Sequence, residues 1–279
     1  MGLTMSLPAI DSRTCVVRNT AARKGRTRSV APGTTATRHL HYGRIILDPM
    51  DSPVRVDPGT HETGLVCLGG QGTVAVGGRR FDMAPYDAVY IPRETPFEVA
   101  PGQPGCDFAE LSAPVDHPYP LQFVAFADVR QDSGLHFKTG GENAMREINL
   151  LLAKNVQAGR IVAGVTFSEP GHWTSWPPHE HAVMLEEAYL YVAMPAPAFG
   201  VQLVYTDAAE PELATIVHEG DVVIMPRGYH PNVAAPGCSI GFLWMMAADR
   251  EGVDRQFGVV NVQPEFAAMK SGLEAGKAK

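Results

Sequence analysis

The stretch PPHEHAVMLEEAYLY, residues 177–191, decides how this 279-residue chain is interpreted. His179 and His181 stand one residue apart, directly after two prolines that favour an extended backbone. Side chains at positions i and i+2 of an extended chain point to the same side. The two imidazoles can therefore share one metal ion, and Glu186 or Glu187, on the apolar segment that follows, can add a carboxylate.

A second segment, GDVVIMPRGYHPNV at residues 220–233, completes the predicted site with His230 after an apolar strand. Three neutral imidazoles and one carboxylate suit zinc, manganese or iron. We therefore predict that His179, His181, His230 and one of the two glutamates hold a divalent metal, with zinc preferred. The alternative is a histidine-lined barrel that binds no metal.

The composition favours an all-β chain, because glycine (28) and proline (23) are frequent and short apolar runs alternate with turn residues. No apolar run approaches the roughly 18 residues of a membrane span, and no secretory leader pattern is visible. The four cysteines are scattered, as expected of free thiols in a cytoplasmic protein. A net charge of −7 and a pI near 5.8 argue against nucleic-acid binding.

An internal repeat indicates two related domains. DAVYIPRETPFEV at residues 87–99 aligns without a gap with DVVIMPRGYHPNV at residues 221–233, and both are apolar strands that end in Pro-Arg. Pro96 takes the place of His230, and only His61 and Glu62 directly precede the strand GLVCL of the first copy, where the second copy has its His-x-His motif. We infer two β-barrels, of which only the second has a metal site.

These observations predict a flexible tail at residues 1–12, an N-terminal barrel without metal ligands at residues 13–125, and a C-terminal barrel with the metal site at residues 126–279. Within the barrels we expect three short strands separated by glycine pairs at residues 61–83. A short helix or an irregular strand is expected at residues 142–154. The apolar strands of the first barrel also suggest a homo-oligomer.

The C-terminal half resembles the sugar isomerase family that joins 5-deoxyglucuronate isomerase of inositol breakdown and 5-keto-4-deoxyuronate isomerase of pectin breakdown. The segments that carry this resemblance are GHWTSWPPHEH, LEEAYLYVAM, FGVQLVYTD, GDVVIMPRGYHPNVAAPG and WMMAADRE. They fit the inositol branch better. The N-terminal half fits the family less specifically and leans toward the pectin branch.

The resemblance implies a bicupin fold, that is, two tandem double-stranded β-helix (jelly-roll) barrels. It implies an aldose–ketose isomerisation of a deoxy-uronate sugar acid, with 5-deoxyglucuronate preferred over 5-keto-4-deoxyuronate. It also implies a metal held by three histidines and one glutamate, which fall by position on His179, His181 and His230 and on one of the glutamate pair.

The choice between the two glutamates rests on strand parity. Counted from the His-x-His motif, Glu186 fits the spacing of the metal-binding glutamate in the pectin branch. Alignment of the following strand with the family places the glutamate at Glu187 instead. Because Glu187 shares parity with Tyr189 and Tyr191, these three side chains could line one polar pocket. The opposite face of the strand is mostly apolar, so we prefer Glu187 as the ligand.

A shift of a carbonyl between C1 and C2 requires a general base and stabilisation of negative charge on oxygen. A divalent metal can supply the second requirement. The candidates for the base are Tyr205, Tyr229, His172 and the glutamate that does not bind the metal. Arg227 is the predicted partner of the substrate carboxylate, although the aligned position in the first copy is also an arginine.

Two other functions fit the same residues. A cupin with three histidines and one glutamate can bind iron or manganese and act as a dioxygenase. A bicupin can also bind a ligand without catalysis. Metal analysis with an oxygen-uptake assay separates the isomerase from the dioxygenase.

Overall fold

A computed structural model describes residues 7–269 of the chain, and it is almost entirely β. The helices are short: α1 (Ser12–Cys15), α2 (Phe126–Gln131) and a single 3-10 turn (Pro264–Phe266). None of the helices in residues 7–269 has the length and apolar character needed to cross a membrane. The predicted all-β class is confirmed.

The strands that precede α2 in the chain are β1 (Val16–Val17), β2 (Gly25–Val30), β3 (His41–Leu47), β4 (Val54–Val56), β5 (His61–Val76), β6 (Arg79–Met83), β7 (Ala88–Ile91), β8 (Phe97–Pro114) and β9 (Gln122–Val124). An eight-stranded sheet has the order β2-β3-β8-β5-β7-β9, and β4 and β6 pair with β8 and β5 beside this path. All its pairs are antiparallel.

The strands that follow α2 are β10 (His136–Thr139), β11 (Arg146–Leu152), β12 (Ile161–Ser168), β13 (Trp173–Thr174), β14 (His179–Glu180), β15 (Leu185–Val192), β16 (Gly200–Val204), β17 (Leu213–Val217), β18 (Val222–Met225), β19 (Asn232–Ala234), β20 (Gly241–Ala248) and β21 (Asn261–Val262). A seven-stranded sheet has the order β1-β18-β15-β20-β12-β11-β10. A four-stranded sheet, β13-β19-β16-β17, and the pair β14-β21 complete this half.

The internal repeat has a counterpart in the strand register. In the first half β5 pairs with β7 so that Thr63 lies opposite Ile91. In the second half β15 pairs with β18 so that Glu187 lies opposite Met225. Since Ile91 and Met225 occupy the same place in the aligned segments, Thr63 stands where the second half has Glu187.

The first strand of the chain crosses over to the other half. β1 pairs with β18 in the seven-stranded sheet, while β9, which precedes the second half, pairs with β7 in the first. Residues 13–125 therefore do not form one sheet system of their own. Of the predicted tail, residues 1–6 lie outside the described residues, and Ile10 is buried in the larger core, which draws on both halves.

Two buried carboxylates join the halves, and we call them the glutamate clamps. Glu62 in β5 and Glu186 in β15 are both fully buried. At 2.6–2.7 Å, Glu62 accepts the backbone N–H groups of Gly159, Arg160 and Ile161. At the same distances, Glu186 accepts those of Arg38, His39 and Leu40. Each clamp therefore fixes a chain segment that leads into a strand of the opposite half.

Two local expectations have different outcomes. The three short strands expected at residues 61–83 are wrong: β5 runs unbroken for 16 residues, and only β6 is separate. Shifts in register with β8 on either side of Gly69 and Gly70 absorb the glycine pair, and Gly70 takes a positive φ of 68°. At residues 142–154 the irregular strand is correct, because β11 has a bulge between Leu150 and Leu152.

Candidate metal centre

Three buried histidines converge in the second half of the chain. His179 lies in β14, His181 follows it directly, and His230 follows β18. One ring nitrogen from each histidine lies within 4.8 Å of the others. The turn to His230 needs Gly228, which has a φ of +85° and whose missing Cβ would lie 2.6 Å from the Tyr205 carbonyl oxygen.

Glu187 joins this cluster from β15. Its Oε2 lies 3.0 Å from Nε2 of His181 and 3.1 Å from Nε2 of His230. Burial alone would raise the pKa of the Glu187 carboxyl, but the two imidazoles outweigh burial and lower it. Burial also acts to lower the pKa of His230, and its contact with Glu187 reverses that shift, so the pKa rises. The carboxylate is therefore held in its charged form beside the imidazoles.

The hydrogen bonds of the histidines prepare them to bind a metal. Nδ1 of His179 lies 3.0 Å from the Pro177 carbonyl, and Nδ1 of His230 lies 3.0 Å from the Gly228 carbonyl. When Nδ1 donates to a carbonyl, Nε2 carries the lone pair that a metal requires. Burial, followed by the neighbouring histidines, keeps the pKa of His179 well below its ordinary value, which favours the neutral ligating form.

Two buried nitrogens of the cluster lack a hydrogen-bond partner, Nδ1 of His181 and Nε2 of His230. The His230 nitrogen is close to Glu187, but the angles do not satisfy a hydrogen bond. Unsatisfied buried polar atoms are costly, and each one calls for an explanation. A divalent cation bound by this nitrogen-rich set would satisfy His230, so the residues present fit a metal.

The two adjacent glutamates point in opposite directions, as strand parity requires. Glu187 faces the histidines, and Glu186 faces the segment at residues 38–40 as one of the glutamate clamps. Both oxygens of Glu186 are occupied by backbone N–H groups. The geometry therefore places Glu187 beside the histidines and gives Glu186 a structural contact.

A small cavity of about 50 Å³ adjoins the cluster. Its walls come from β11, β12, β15 and β20, and it is lined by Arg146, Ile148, Thr166, Ser175, His179, His181, Glu187, Tyr189, Phe242, Trp244, Met246, Phe257 and Gly258. The Ser175 and Tyr189 hydroxyls lie 2.7 Å apart, and Trp244 Nε1 donates to Thr166 Oγ1 at 3.2 Å. This volume holds one or two water molecules.

Residues 257–266 begin at the cavity, where Phe257 and Gly258 line it, and we call them the C-terminal strap. Phe257 stacks on Trp244 with ring centroids 5.5 Å apart. β21 pairs with β14, the strand of His179. Tyr205 directly follows β16, and its hydroxyl donates to Gln263 Oε1 at 2.8 Å. This hydrogen bond links the C-terminal strap to the end of β16.

The structure does not bring the predicted catalytic residues to this cavity. The Tyr205 hydroxyl donates to Gln263 of the C-terminal strap, and Tyr229 pairs with Tyr205 through two backbone hydrogen bonds of 2.8 and 3.0 Å. Arg227 and His172 are half-buried and do not line the cavity, and Nδ1 of His172 accepts the N–H of Met145 at 3.0 Å. Their catalytic roles stay predictions.

Sequence reasoning missed the polar residues that do line the cavity, above all Arg146. Arg146 and Ile148 alternate on one face of β11. A firm interpretation of residues 142–154 as a strand would have shown this parity. Thr166 and Ser175 carry no motif by which they could be found.

Known proteins resemble this chain in sequence over most of its length. A family model described as the KduI/IolB family matches residues 15–265. A 5-deoxy-glucuronate isomerase of Geobacillus kaustophilus (strain HTA426) is 32% identical over 174 residues, which cover 60% of this chain. The match spans only 61% of that relative's length.

Solved structures share the fold. An IolB-like protein from Salmonella typhimurium LT2 is 22% identical, with a TM-score of 0.80 over 91% of this chain and 98% of that one. Oxalate decarboxylase of Bacillus subtilis, with Mn(II) centres, is 12% identical, with a TM-score of 0.64 over 94% of this chain and 84% of that one. At these identities the likeness shows an all-β, cupin-like fold.

Proposed function

Because the chain belongs to the KduI/IolB family, we propose that it is a metal-dependent aldose–ketose isomerase that converts 5-deoxy-glucuronate. The observation that carries the proposal is the convergence of His179, His181, His230 and Glu187 on one point beside a buried cavity. Curated relatives named 5-deoxy-glucuronate isomerase support the substrate.

The proposed site separates two tasks. A divalent metal, when bound by the three histidines and Glu187, would polarise the sugar oxygens and stabilise developing negative charge. We propose zinc, with manganese as the alternative, since a structural neighbour has Mn(II) centres. The hydroxyls of Ser175, Tyr189 and Thr166 line the cavity, where they can hydrogen-bond the sugar and pass protons.

We also propose that the fold is a bicupin, with a first barrel that lacks metal ligands. The shared strand register and the paired glutamate clamps support this. Thr63 takes the place of Glu187, and Pro96 takes the place of His230, so two of the four proposed ligands have no counterpart in the first barrel. A cytoplasmic location and a homo-oligomeric state remain proposals from sequence.

The test is to incubate the metal-loaded protein separately with 5-deoxy-glucuronate and with 5-keto-4-deoxyuronate, and to follow each carbonyl by NMR. We expect conversion of 5-deoxy-glucuronate, with no oxygen uptake. A His179→Ala variant should keep its circular dichroism spectrum and lose the conversion. Turnover of 5-keto-4-deoxyuronate alone would move the chain to the other branch, and turnover of neither would refute the proposal.

A further inference from the structure

We propose that the first half of the chain holds a second small-molecule site, which takes a carboxylate that also carries hydroxyl groups, such as a sugar acid. The site is a cavity of about 610 Å³ in the eight-stranded sheet, and we call it the first-half cavity. Arg28 binds the carboxylate, and the side chains of Thr63 and Ser112 bind the hydroxyl groups. The inference does not depend on the isomerase assignment, which concerns the histidine cluster of the other half.

The first-half cavity lies at the position where the second half has its metal cluster. Thr63 pairs with Ser112 across β5 and β8, just as Glu187 pairs with Met246 across β15 and β20. Thr63 and Ser112 line the first-half cavity, and Glu187 and Met246 line the cavity beside the histidines. The same register position therefore opens into a cavity in both halves, with hydroxyls in one and a carboxylate in the other.

The size and walls of the first-half cavity suit a small molecule. Its volume lies within the roughly 300–1,000 Å³ that is usual for ligand sites. Arg28 and the turn at residues 57–60 provide an outer wall that is mostly exposed. The inner wall is formed by Thr63 and Ser112, whose neighbours on the same strand faces, Leu65 and Phe108, belong to the smaller core. A ligand can therefore reach from solvent to buried polar groups.

The two hydroxyls at the inner wall have no partner of their own. Thr63 is 1% exposed and Ser112 is 3% exposed. Neither hydroxyl makes a hydrogen bond to another residue within residues 7–269. Buried polar side chains are normally hydrogen-bonded, and an unsatisfied one is costly. The hydroxyl groups of a ligand can both donate and accept, so they satisfy this pair.

The charges of the first-half cavity favour one carboxylate. Arg26 and Glu110 form two hydrogen bonds of 2.7 Å, so their charges compensate each other. Asp57 is exposed, and its Oδ1 accepts the N–H of Gly59 at 2.9 Å. Arg28 makes no hydrogen bond or ion pair with any residue that the structure describes. Its guanidinium is therefore available, and its planar fork of donors matches the two oxygens of a carboxylate.

An imidazole adds hydrogen-bonding capacity without further charge. His61 lines the first-half cavity, and its ring contacts that of His41 edge-on, with centroids 4.8 Å apart. Burial, followed by the charge of Arg28, lowers the pKa of His61, so the ring is neutral at pH 7. A ligand with one negative charge and several hydroxyls therefore matches the groups present better than a multiply charged one.

The test is calorimetric titration of the metal-free, full-length protein with glucuronate and with glucuronamide, in which a neutral amide replaces the carboxylate. We expect Arg28→Gln to weaken glucuronate binding about tenfold, as loss of a hydrogen bond to a charged group does. Its affinity for glucuronamide should change little. Thr63→Val keeps the shape of the side chain and removes one hydroxyl, so both ligands should bind about fivefold more weakly.

The control is Arg23→Gln, which removes an exposed arginine of the same basic segment that does not line the first-half cavity. It should bind both ligands like the wild-type protein. Amide hydrogen exchange locates the ligand, and we expect glucuronate to slow exchange at residues 57–63. Urea unfolding of each variant reports whether its fold is intact.

Several results would overturn the inference. Absence of any binding at millimolar glucuronate would mean that water alone fills the first-half cavity. Glucuronate affinity that is unchanged in both Arg28→Gln and Thr63→Val, or slower exchange only at residues 177–187, would place the ligand elsewhere. Equal loss of both ligands in Arg28→Gln would remove the role of the carboxylate. Tighter binding of inorganic phosphate than of glucuronate would show that the site selects a different anion.

Discussion

Replacing each of the two adjacent glutamates by glutamine should have opposite consequences. We expect Glu186→Gln to lower the stability of the fold and to leave metal binding intact. Glu187→Gln should weaken metal binding and leave the glutamate clamp intact. The reason is geometric, since the two side chains leave β15 on opposite faces and contact different partners.

The size of the first effect follows from the contacts of Glu186. One oxygen accepts the N–H groups of His39 and Leu40, and the other accepts that of Arg38 at 2.6 Å. Glutamine keeps one acceptor oxygen and turns an NH₂ group toward a buried N–H donor. Loss of one charge-assisted bond, with a donor left unsatisfied, costs about 3 kcal/mol, which lowers Tm by roughly 6–12 °C.

The matched control is Glu62→Gln, because Glu62 likewise accepts three backbone N–H groups, in the half that lacks the histidine cluster, and also accepts the Tyr90 hydroxyl. It should lose a similar amount of stability and bind metal normally. For Glu187→Gln we expect zinc affinity to fall at least about 100-fold, as loss of a charged ligand should exceed the effect of an outer-shell change.

The assays are urea unfolding of metal-free protein and zinc titration against a chromophoric chelator, run on all three variants. The reasoning is refuted if Glu186→Gln loses zinc while Glu187→Gln retains it. It is also refuted if Glu186→Gln and Glu62→Gln unfold at the wild-type urea concentration, because the clamps would then contribute nothing measurable.

Three further outcomes are expected. Chelator-stripped protein should lose isomerase activity and regain it with zinc or manganese, and full activity without any metal would contradict the site. Burial and, after it, the neighbouring His61 lower the pKa of His41 from 6.5 to about 4. As pH falls, the unfolded state therefore binds a proton before the folded state does, and the free energy of unfolding should drop between pH 6.5 and 4. Urea unfolding at about pH 7.0 and about pH 4.5 measures this drop, which should be smaller in His41→Gln. Tyr205→Phe removes the hydrogen bond to Gln263. Because such a bond contributes about 1 kcal/mol, amide hydrogen exchange in the C-terminal strap should become about fivefold faster. Equal exchange rates in the variant and the wild type would show that other contacts hold the strap.

The sequence predicts the all-β class and the convergence of the three histidines, because both depend on local patterns. The side chains of His179 and His181 point to the same side because residues i and i+2 of an extended chain share a face. The strand that ends before His230 is apolar throughout. The comparisons confirm the family resemblance drawn from the same segments. Preference for Glu187 over Glu186 rests on the alternation of side chains along one strand, and in the structure Glu187 lies beside His181 while Glu186 faces away.

The remaining features depend on pairings between residues far apart in the chain. Nothing local shows that β1 leaves its own half to pair with β18. Nothing local shows that the Gly69–Gly70 pair would bend β5 rather than end it. Likewise Arg146 is one polar residue in an ambiguous segment, and its place in the cavity follows only from the pairing of β11 with β12.

The strand register of the internal repeat relates the glutamates of the two halves. The first half has Glu62 followed by Thr63, and the second half, which contains the histidine cluster, has Glu186 followed by Glu187. Thr63 and Glu187 occupy equivalent register positions. The glutamate present in both halves is therefore the clamp, which both halves need in order to pack. The glutamate present only beside the histidines is the one we propose as the metal ligand, because the equivalent position in the half without the histidine cluster is an uncharged threonine.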